Sequence, residues 1–227
     1  GPPARHPILF YIWYEKRIPS LLIKEKADLF VSTDGFSSVR TNVPTLYVLH
    51  DIAWKHYPHH IYYTARKFYQ YFVPKYCEKA KRIATVSTFS KNDIIESFSI
   101  HKDKIDIVYN GSSGLYKPID TDELAQIRNE LTDSCPYFVY VGSVNERKNL
   151  LRMIKAFDQF RKRSNEEIKF VFVGGATGKS KQLNEWIHDC QFSDDIKVLG
   201  YVDENKLAKI LGAAHAMVYV SLFEGFG

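Results

Sequence analysis

Short apolar runs alternate along the chain with longer stretches in which apolar residues recur every three or four positions. The first pattern is that of buried strands and the second that of amphipathic helices. Ile8 to Tyr14 admits helix or strand and is taken as helix. Asp28–Ser32 is a short strand closed by Thr33-Asp34-Gly35, and Thr45–His50 is a stronger one. Ile61 to Ala80 carries Ile61, Ala65, Phe68, Phe72 and Tyr76 at helical spacing, with Pro74 expected to kink that helix or to start a second one. Arg82–Ser87 reads as strand and Thr88–Phe98 as a helix capped by Ser87 or Thr88. Lys104–Tyr109 reads as a strand ending in the turn signal Asn110-Gly111.

A loose Gly- and Ser-containing stretch from Asn110 to Pro118 is the expected seam between two domains, 1–112 and 113–227. Asp120 and Glu123 have the spacing of a capping box that opens a helix to about Leu131. Strands are then expected at Tyr137–Gly142, Ile168–Val173, Ile196–Leu199 and Ala216–Ser221, with helices at Asn149–Arg163, Lys181–Cys190 and Glu204–Leu211 between them. Alternation on both sides of a seam predicts an α/β fold of two βαβ-type domains, each with a mostly parallel sheet. Ligands then belong between the domains, at the carboxyl ends of the strands. His50, Asp51 and Ser87 lie at such ends in the first domain, and Gly142, Ser143, Gly174 and Glu224 in the second. The last ten residues, Val218 to Gly227, read as a buried strand that releases one carboxylate, Glu224, followed by Gly225-Phe226-Gly227.

Composition narrows the class. The chain has 227 residues, 45% hydrophobic and 25% charged, with 15 Tyr and 15 Phe. That is a globular protein with a sizeable core. A net charge of +5, spread along the chain, suits an anionic small ligand or an anionic membrane surface. Cys77, Cys135 and Cys190 are scattered and lack CxxC spacing, which is unlike a disulfide framework or a zinc site and points to a reducing, cytoplasmic setting. No apolar run reaches membrane-spanning length. Gly1-Pro2-Pro3 reads as a cut start.

Several local motifs carry candidate chemistry. Gly142-Ser-Val-Asn-Glu-Arg-Lys-Asn-Leu150 ends a strand on glycine and sets Arg147 and Lys148 at a helix start, where backbone N–H groups and two cations would clamp a phosphate. Val173-Gly-Gly-Ala-Thr-Gly-Lys-Ser180 invites a P-loop reading. From Gly174 to the Gly178-Lys179-Ser180 group, however, it has one residue too few for the Walker spacing, so a plain strand-to-helix loop is the better account. Asp120-Thr-Asp122 matches an Asp-x-Asp metal motif, but helix capping explains it. His50, His56, His59 and His60 are irregularly spaced, with no helix expected to set two of them at i and i+4 and no Cys near, and no metal site is expected. The Tyr-, Phe- and Lys-rich helix from Ile61 could lie on a membrane surface, although an aromatic stripe is more often core.

Taken in order, His50-Asp-Ile, Thr85-Val-Ser-Thr-Phe-Ser-Lys-Asn-Asp-Ile94, Ile107-Val-Tyr-Asn-Gly111, Tyr140-Val-Gly-Ser, Glu146-Arg-Lys-Asn-Leu150, Val173-Gly-Gly175, Leu199-Gly-Tyr-Val202 and Ser221-Leu-Phe-Glu-Gly-Phe-Gly227 form a specific set. It resembles glycosyltransferase family four, the retaining enzymes of GT-B architecture, over residues 28–227. The flavour is that of bacterial mannosyl- and hexosyltransferases of polysaccharide assembly. The resemblance implies two Rossmann-like domains, the first on the acceptor side and the second binding a nucleotide-diphosphate sugar. Arg147 and Lys148 match the family's pyrophosphate-binding pair, Gly142 and Ser143 the loop under the diphosphate, and Tyr201 and Val202 the region passing the base. The Val173-Gly174-Gly175 strand end is part of the same set. Glu224 matches the carboxylate that addresses the donor sugar, with the Gly225-Phe226-Gly227 backbone approaching sugar and phosphate. His50 matches the histidine near the anomeric centre.

The implied activity is transfer of a hexose, mannose or similar, from a GDP- or UDP-sugar to a saccharide or lipid-linked acceptor. It would proceed with retention and without metal or other cofactor, in the cytoplasm or at the inner face of the membrane, and with no nucleic-acid partner. The sequence departs from the family in three ways. Both domains read as incomplete, with the second signature Glu falling beyond Gly227, so this chain is expected to be inactive or a binding fragment. Glu146 stands where Pro is common, and Asn110-Gly-Ser-Ser replaces the commoner continuation of that turn. The rival class is a P-loop-type nucleotide hydrolase or switch.

Overall fold

The computed structural model describes residues 7–174 and 180–227. Gly175, Lys179 and the rest of the P-loop-like run between them, like Gly1-Pro2-Pro3, lie outside the described residues. The chain forms two compact units, Gly1–Gly111 with Glu224–Gly227, and Ser112–Phe223. The last four residues, expected with the second domain, thus pack with the first.

In the first unit, strands β1 (Phe30–Ser32), β2 (Thr45–Val48), β3 (Arg82–Thr85) and β4 (Ile105–Ile107) form one parallel sheet in chain order. Helices α1 (Pro7–Ile12) and α2 (Ile18–Lys24) are joined by a π-helical stretch, Trp13–Arg17. They are followed by a short α3 (Ala53–His56), then α4 (Tyr63–Lys79) and α5 (Thr88–Phe98). The helix expected at Ile8–Tyr14 therefore exists, but it runs into a wide turn that brings Tyr14 and Glu15 inward. The Glu15 carboxylate is 1% exposed and accepts from Val39 N–H at 3.1 and 3.2 Å and from Ser38 Oγ at 3.4 Å. Tyr14 donates to Asp34 at 2.6 Å, and burial and that bond both raise its phenol pKa. A buried charge persists only when its lone pairs are satisfied, and here the loop after β1 does so.

Pro74 does not start a new helix, since α4 is continuous through it. Its neighbours Val73, Tyr76 and Cys77 are all buried, so packing offsets the missing N–H bond. The core joins Tyr47, Ile52, Val73, Tyr76, Ile83, Ile94 and Ile105. Ser87 is the N-cap of α5, accepting from Ser90 N–H at 3.0 Å.

In the second unit, β5 (Tyr137–Val141), β6 (Lys169–Val173), β7 (Ile196–Gly200) and β8 (Ala216–Met217) are parallel, in the order β7-β6-β5-β8. Helices α6 (Thr121–Thr132), α7 (Leu150–Arg163), α8 (Ser180–His188) and α9 (Glu204–Ala213) accompany them. Side chains alternate between two cores. Tyr140, Phe170 and Phe172 meet Met153, Ile154, Phe157 and Leu183 on one side, while Tyr137, Val139, Val171 and Val173 meet Ile127 and Ile210 on the other. Coverage of both faces is why these strands read as continuous apolar runs. Asp120 and Asp203 cap α6 and α9, accepting from Glu123 N–H at 2.8 Å and Lys206 N–H at 3.0 Å. The final strand differs from expectation. Its ladder covers Ala216–Met217, both exposed, and among the described strands it pairs with β5 alone. One further bond, Val218 N to Val139 O at 2.8 Å, extends it.

Candidate functional site

The second sheet changes direction at β5. The chain moves outward from β5 through β6 to β7, then returns to place β8 on the other side of β5. Such a reversal leaves a crevice at the carboxyl ends of the two strands that flank it, the usual ligand position in open α/β sheets. Gly142-Ser143 leaves β5 there, and Val218 onward leaves β8.

The loop after β5 is fixed by its own residues. Asn145 accepts from Lys148 N–H at 3.1 Å and caps a 3₁₀ turn, Glu146–Lys148. Asn149 is left-handed at φ 63°, and α7 begins only at Leu150. Arg147 and Lys148 therefore sit on a tight turn before the helix rather than in its first turn. Asn and Asp tolerate the left-handed region, which is why Asn149 can make this break.

That basic turn clasps the stretch leaving β8. Arg147 Nη1 donates to the Phe223 carbonyl, and Lys148 Nζ to the Tyr219 hydroxyl. Asn149 Nδ2 donates to Val220 O at 3.0 Å, and Leu222 N–H donates to Arg147 O at 2.8 Å. Lys148 Nζ also lies 4.7 Å from the Tyr219 ring centroid, and that ring stacks on Tyr140 at 6.1 Å. Sequence reasoning found the cations but missed Tyr219 and Asn149 as their companions. The available signal was the aromatic at the centre of a β-branched strand end.

Beside the turn, backbone dominates. Gly142, Gly174 and Gly200 end three adjacent strands. Gly174 has φ +137°, and a Cβ there would lie 2.0 Å from Gly142 O. No side chain can occupy that position, so the floor at these strand ends is peptide. Tyr140 OH donates to Ser143 O at 3.0 Å, and Ser143 Oγ accepts from Asn145 Nδ2 at 2.9 Å. Tyr201 is 85% exposed after β7, and Val202 turns into the core.

The remaining candidates belong to the first unit. His50 follows β2, is exposed, and has Nε2 3.0 Å from Thr33 O. Asp51 Oδ1 accepts from Ala53 N–H at 2.9 Å. Gly225 is buried, and its carbonyl accepts from Ser87 Oγ and, at 3.0 Å, from Ser90 Oγ. A Cβ on Gly225 would meet Asp51 Cβ at 2.7 Å and His50 O at 2.8 Å. Glu224 is half-buried beside it, and the Phe226 ring is 6.4 Å from that of Tyr109. The structure thus gathers His50, Glu224, Gly225, Phe226 and Gly227 in one unit, and Gly142, Ser143, Arg147, Lys148, Gly174, Tyr201 and Val202 in the other. Among the described residues no three His, Cys, Asp or Glu side chains come together as a metal site. His56 instead meets both Asp93 oxygens, at 2.8 and 2.9 Å.

Two family profiles match, Glycosyltransferase Family 4 over residues 1–112 and Glycosyl transferases group 1 over residues 122–227. The O-antigen chain mannosyltransferase RfbU of Salmonella typhimurium is 24% identical over 221 residues, 97% of this chain and 58% of that protein. The O-antigen chain mannosyltransferase B of Escherichia coli is 27% identical over 151 residues, 66% of this chain and 40% of that one. The chain thus spans about half the length of these curated relatives. Among solved structures, Anabaena Alr3699/HepE in complex with UDP and glucose superposes with a TM-score of 0.70 at 17% identity, covering 90% of this chain and 56% of that one. WaaG, a glycosyltransferase involved in lipopolysaccharide biosynthesis, gives 0.71 at 15% identity, covering 92% and 57%. With a parallel sheet in each unit, a GT-B architecture and a family profile on each half, the chain belongs to the family four and group 1 glycosyltransferases.

Proposed function

We propose that the whole protein transfers a hexose, mannose or a close relative, from a GDP- or UDP-sugar to a saccharide or lipid-linked acceptor, and that residues 113–227 carry most of the donor site. The observation that carries this reading is the basic turn at the β5/β8 switch point, with Arg147 and Lys148 beside strand ends made of glycine backbone. A diphosphate needs cations and N–H donors in a place where no side chain intrudes. A guanidinium has five donors, so Arg147 can hold the Phe223 carbonyl and a phosphate oxygen at once. The relatives' names, O-antigen chain mannosyltransferases, and the UDP and glucose in the Anabaena structure point the same way.

In this reading Arg147 and Lys148 stabilise the charge that develops on the β-phosphate as the nucleoside diphosphate departs. These groups do the work a divalent cation would otherwise do, which makes the transfer metal-independent. Glu224 binds sugar hydroxyls and His50 lies near the anomeric carbon. The acceptor arrives on the face the diphosphate vacates, and the leaving phosphate takes its proton, which gives retention without an enzymic nucleophile.

Titration calorimetry with GDP, UDP, GDP-mannose and UDP-glucose tests the donor site. Arg147→Ala and Lys148→Ala should each weaken nucleotide binding by ten- to a hundredfold, about 1.4–3 kcal/mol for a charge-assisted bond. Lys179→Ala should leave it unchanged. The opposite pattern would favour a P-loop-type site. Product analysis with a nucleotide-sugar panel, with and without chelator, then reads anomeric configuration and metal dependence.

A further inference from the structure

Tyr219 follows Val218, whose N–H makes the last backbone bond between β8 and β5. Its ring lies nearly parallel to that of Tyr140, with centroids 6.1 Å and planes 14° apart. Tyr140 is itself fixed. It is buried, its ring lies 5.7 Å from that of Phe172, and its hydroxyl donates to Ser143 O at 3.0 Å. That hydroxyl also fills the space beside Gly142, where a Cβ would lie 2.5 Å from it. An aromatic column of Phe172, Tyr140 and Tyr219 therefore runs outward from the core of the second unit, and Lys148 ends it. The Lys148 ammonium lies 4.7 Å from the Tyr219 centroid and donates to the Tyr219 hydroxyl. Tyr219 thus holds Lys148 both by its ring and by its oxygen.

We infer that Tyr219 is a positioning residue, which fixes Lys148 for the donor's diphosphate before the donor arrives. The inference rests on the donor-site reading proposed above. Lys148 sits on the 3₁₀ turn ahead of α7, and its charge is carried on a flexible four-carbon stem. Lysine is among the side chains that give up most rotamer freedom when fixed. Freedom already surrendered to Tyr219 is not surrendered again when an anion binds, so the anion is held more tightly. Arg147 has a planar fork built into its guanidinium, whereas Lys148 borrows its geometry from the tyrosine. A phenol suits this task better than a carboxylate would. It is neutral, so it orients the ammonium without cancelling its charge, and it takes one of three N–H donors. The negative face of the ring adds a second attraction.

A double-mutant cycle read by titration calorimetry with GDP and UDP tests it. Tyr219→Phe keeps the stack and the ring under the ammonium and loses only the hydroxyl. It should weaken binding of the tighter nucleotide about two- to tenfold, the range for one hydrogen bond. Tyr219→Leu also loses the ring and should weaken binding by a further factor of about two to five. In a Lys148→Ala background Tyr219→Phe should make no further difference, because the cation it positions is gone. Reductive methylation read by mass spectrometry reports the contact without any nucleotide. Lys148 should be modified faster in Tyr219→Phe than in the unchanged chain, with the exposed Lys155 on α7 as the internal reference. An equal loss of affinity with and without Lys148 would mark Tyr219 as a packing residue and overturn the inference. Unchanged affinity or unchanged Lys148 labelling in Tyr219→Phe would overturn it too. If Lys148→Ala left nucleotide binding intact, or neither nucleotide bound, the donor-site reading itself would fall and this inference with it.

Discussion

Replacing Gly225 by alanine probes how the end of the chain is held. The methyl carbon would sit 2.7 Å from Asp51 Cβ, 2.8 Å from His50 O and 3.0 Å from Ser90 Oγ. The first two are backbone or fixed to it, so no rotamer change can make room. Either the strand end shifts, or residues 224–227 lift away. Overpacking of this kind costs about 1–3 kcal/mol. Lifting away loses the Ser87 and Ser90 bonds to the Gly225 carbonyl, which at about 0.5–1.5 kcal/mol each gives a similar sum. Both routes therefore lead to a loss of about 1–3 kcal/mol. Gly111 is the control, because nothing lies within 4 Å of a Cβ there. Alanine at that position should be neutral or stabilise by up to about 1 kcal/mol. Thermal melting by circular dichroism, paired with hydrogen exchange at Phe226 and Gly227, separates the routes. A shift costs melting temperature, at roughly 2–8 °C per kcal/mol, whereas lifting away mainly accelerates local exchange. If Gly225→Ala matched Gly111→Ala in both measurements, the close approach would not be what holds these residues.

Asp195 receives Arg161 Nε at 3.0 Å and Lys169 Nζ at 2.5 Å, with its own side chain 14% exposed. Burial pushes its carboxyl pKa up, but the bonds from Lys169 and Arg161 outweigh that and hold it below the usual value. The stabilisation should be complete above pH ~4, the unfolded value, and lost as pH falls through the depressed native one. Asp195→Asn should cost about 1–2 kcal/mol at neutral pH, between exposed and fully buried pairs, and flatten melting temperature against pH in the acid range. An unchanged acid slope would refute this. Cys77 is fully buried, and burial pushes its thiol up to about 12. In timed alkylation at pH 8 read by mass spectrometry, Cys77 should be the last of the three cysteines to react, and should become reactive in urea. Early labelling of Cys77 would contradict it.

The parallel sheets and most helices were legible because each follows from local pattern. Apolar runs set β5 and β6, and Ser87, Asp120 and the stripe of α7 announce their helices. What escaped depends on contacts between distant residues. The π-helical stretch exists because Glu15 reaches Ser38 and Val39, more than twenty positions on. That Pro74 starts no second helix depends on the packing of the residues around it, which a propensity cannot weigh. The β8 ladder with β5 covers only Ala216–Met217, a length that composition does not reveal. Arg147 and Lys148 were found as cations, but their place on a 3₁₀ turn depends on Asn145 and the left-handed Asn149. Gly225 was identified as a glycine near a carboxylate. The reason it must be glycine lies in His50 and Asp51, far away in sequence.

Beyond Val218 the chain keeps the Leu222 N–H bond to Arg147 O but otherwise exchanges ladder bonds for side chains. Arg147 and Asn149 donate to carbonyls there, and Lys148 to the Tyr219 hydroxyl. A backbone ladder is indifferent to what else is dissolved around it. Side-chain donors are not, because an anion competes for them. An anion recruited to the turn at residues 146–149 is therefore felt by Tyr219–Phe223, although Arg147 has donors to spare for the Phe223 carbonyl and the Leu222 N–H bond to Arg147 O stays in place. Occupancy of the turn and the ordering of that segment are thereby coupled, and the coupling is measurable from either end.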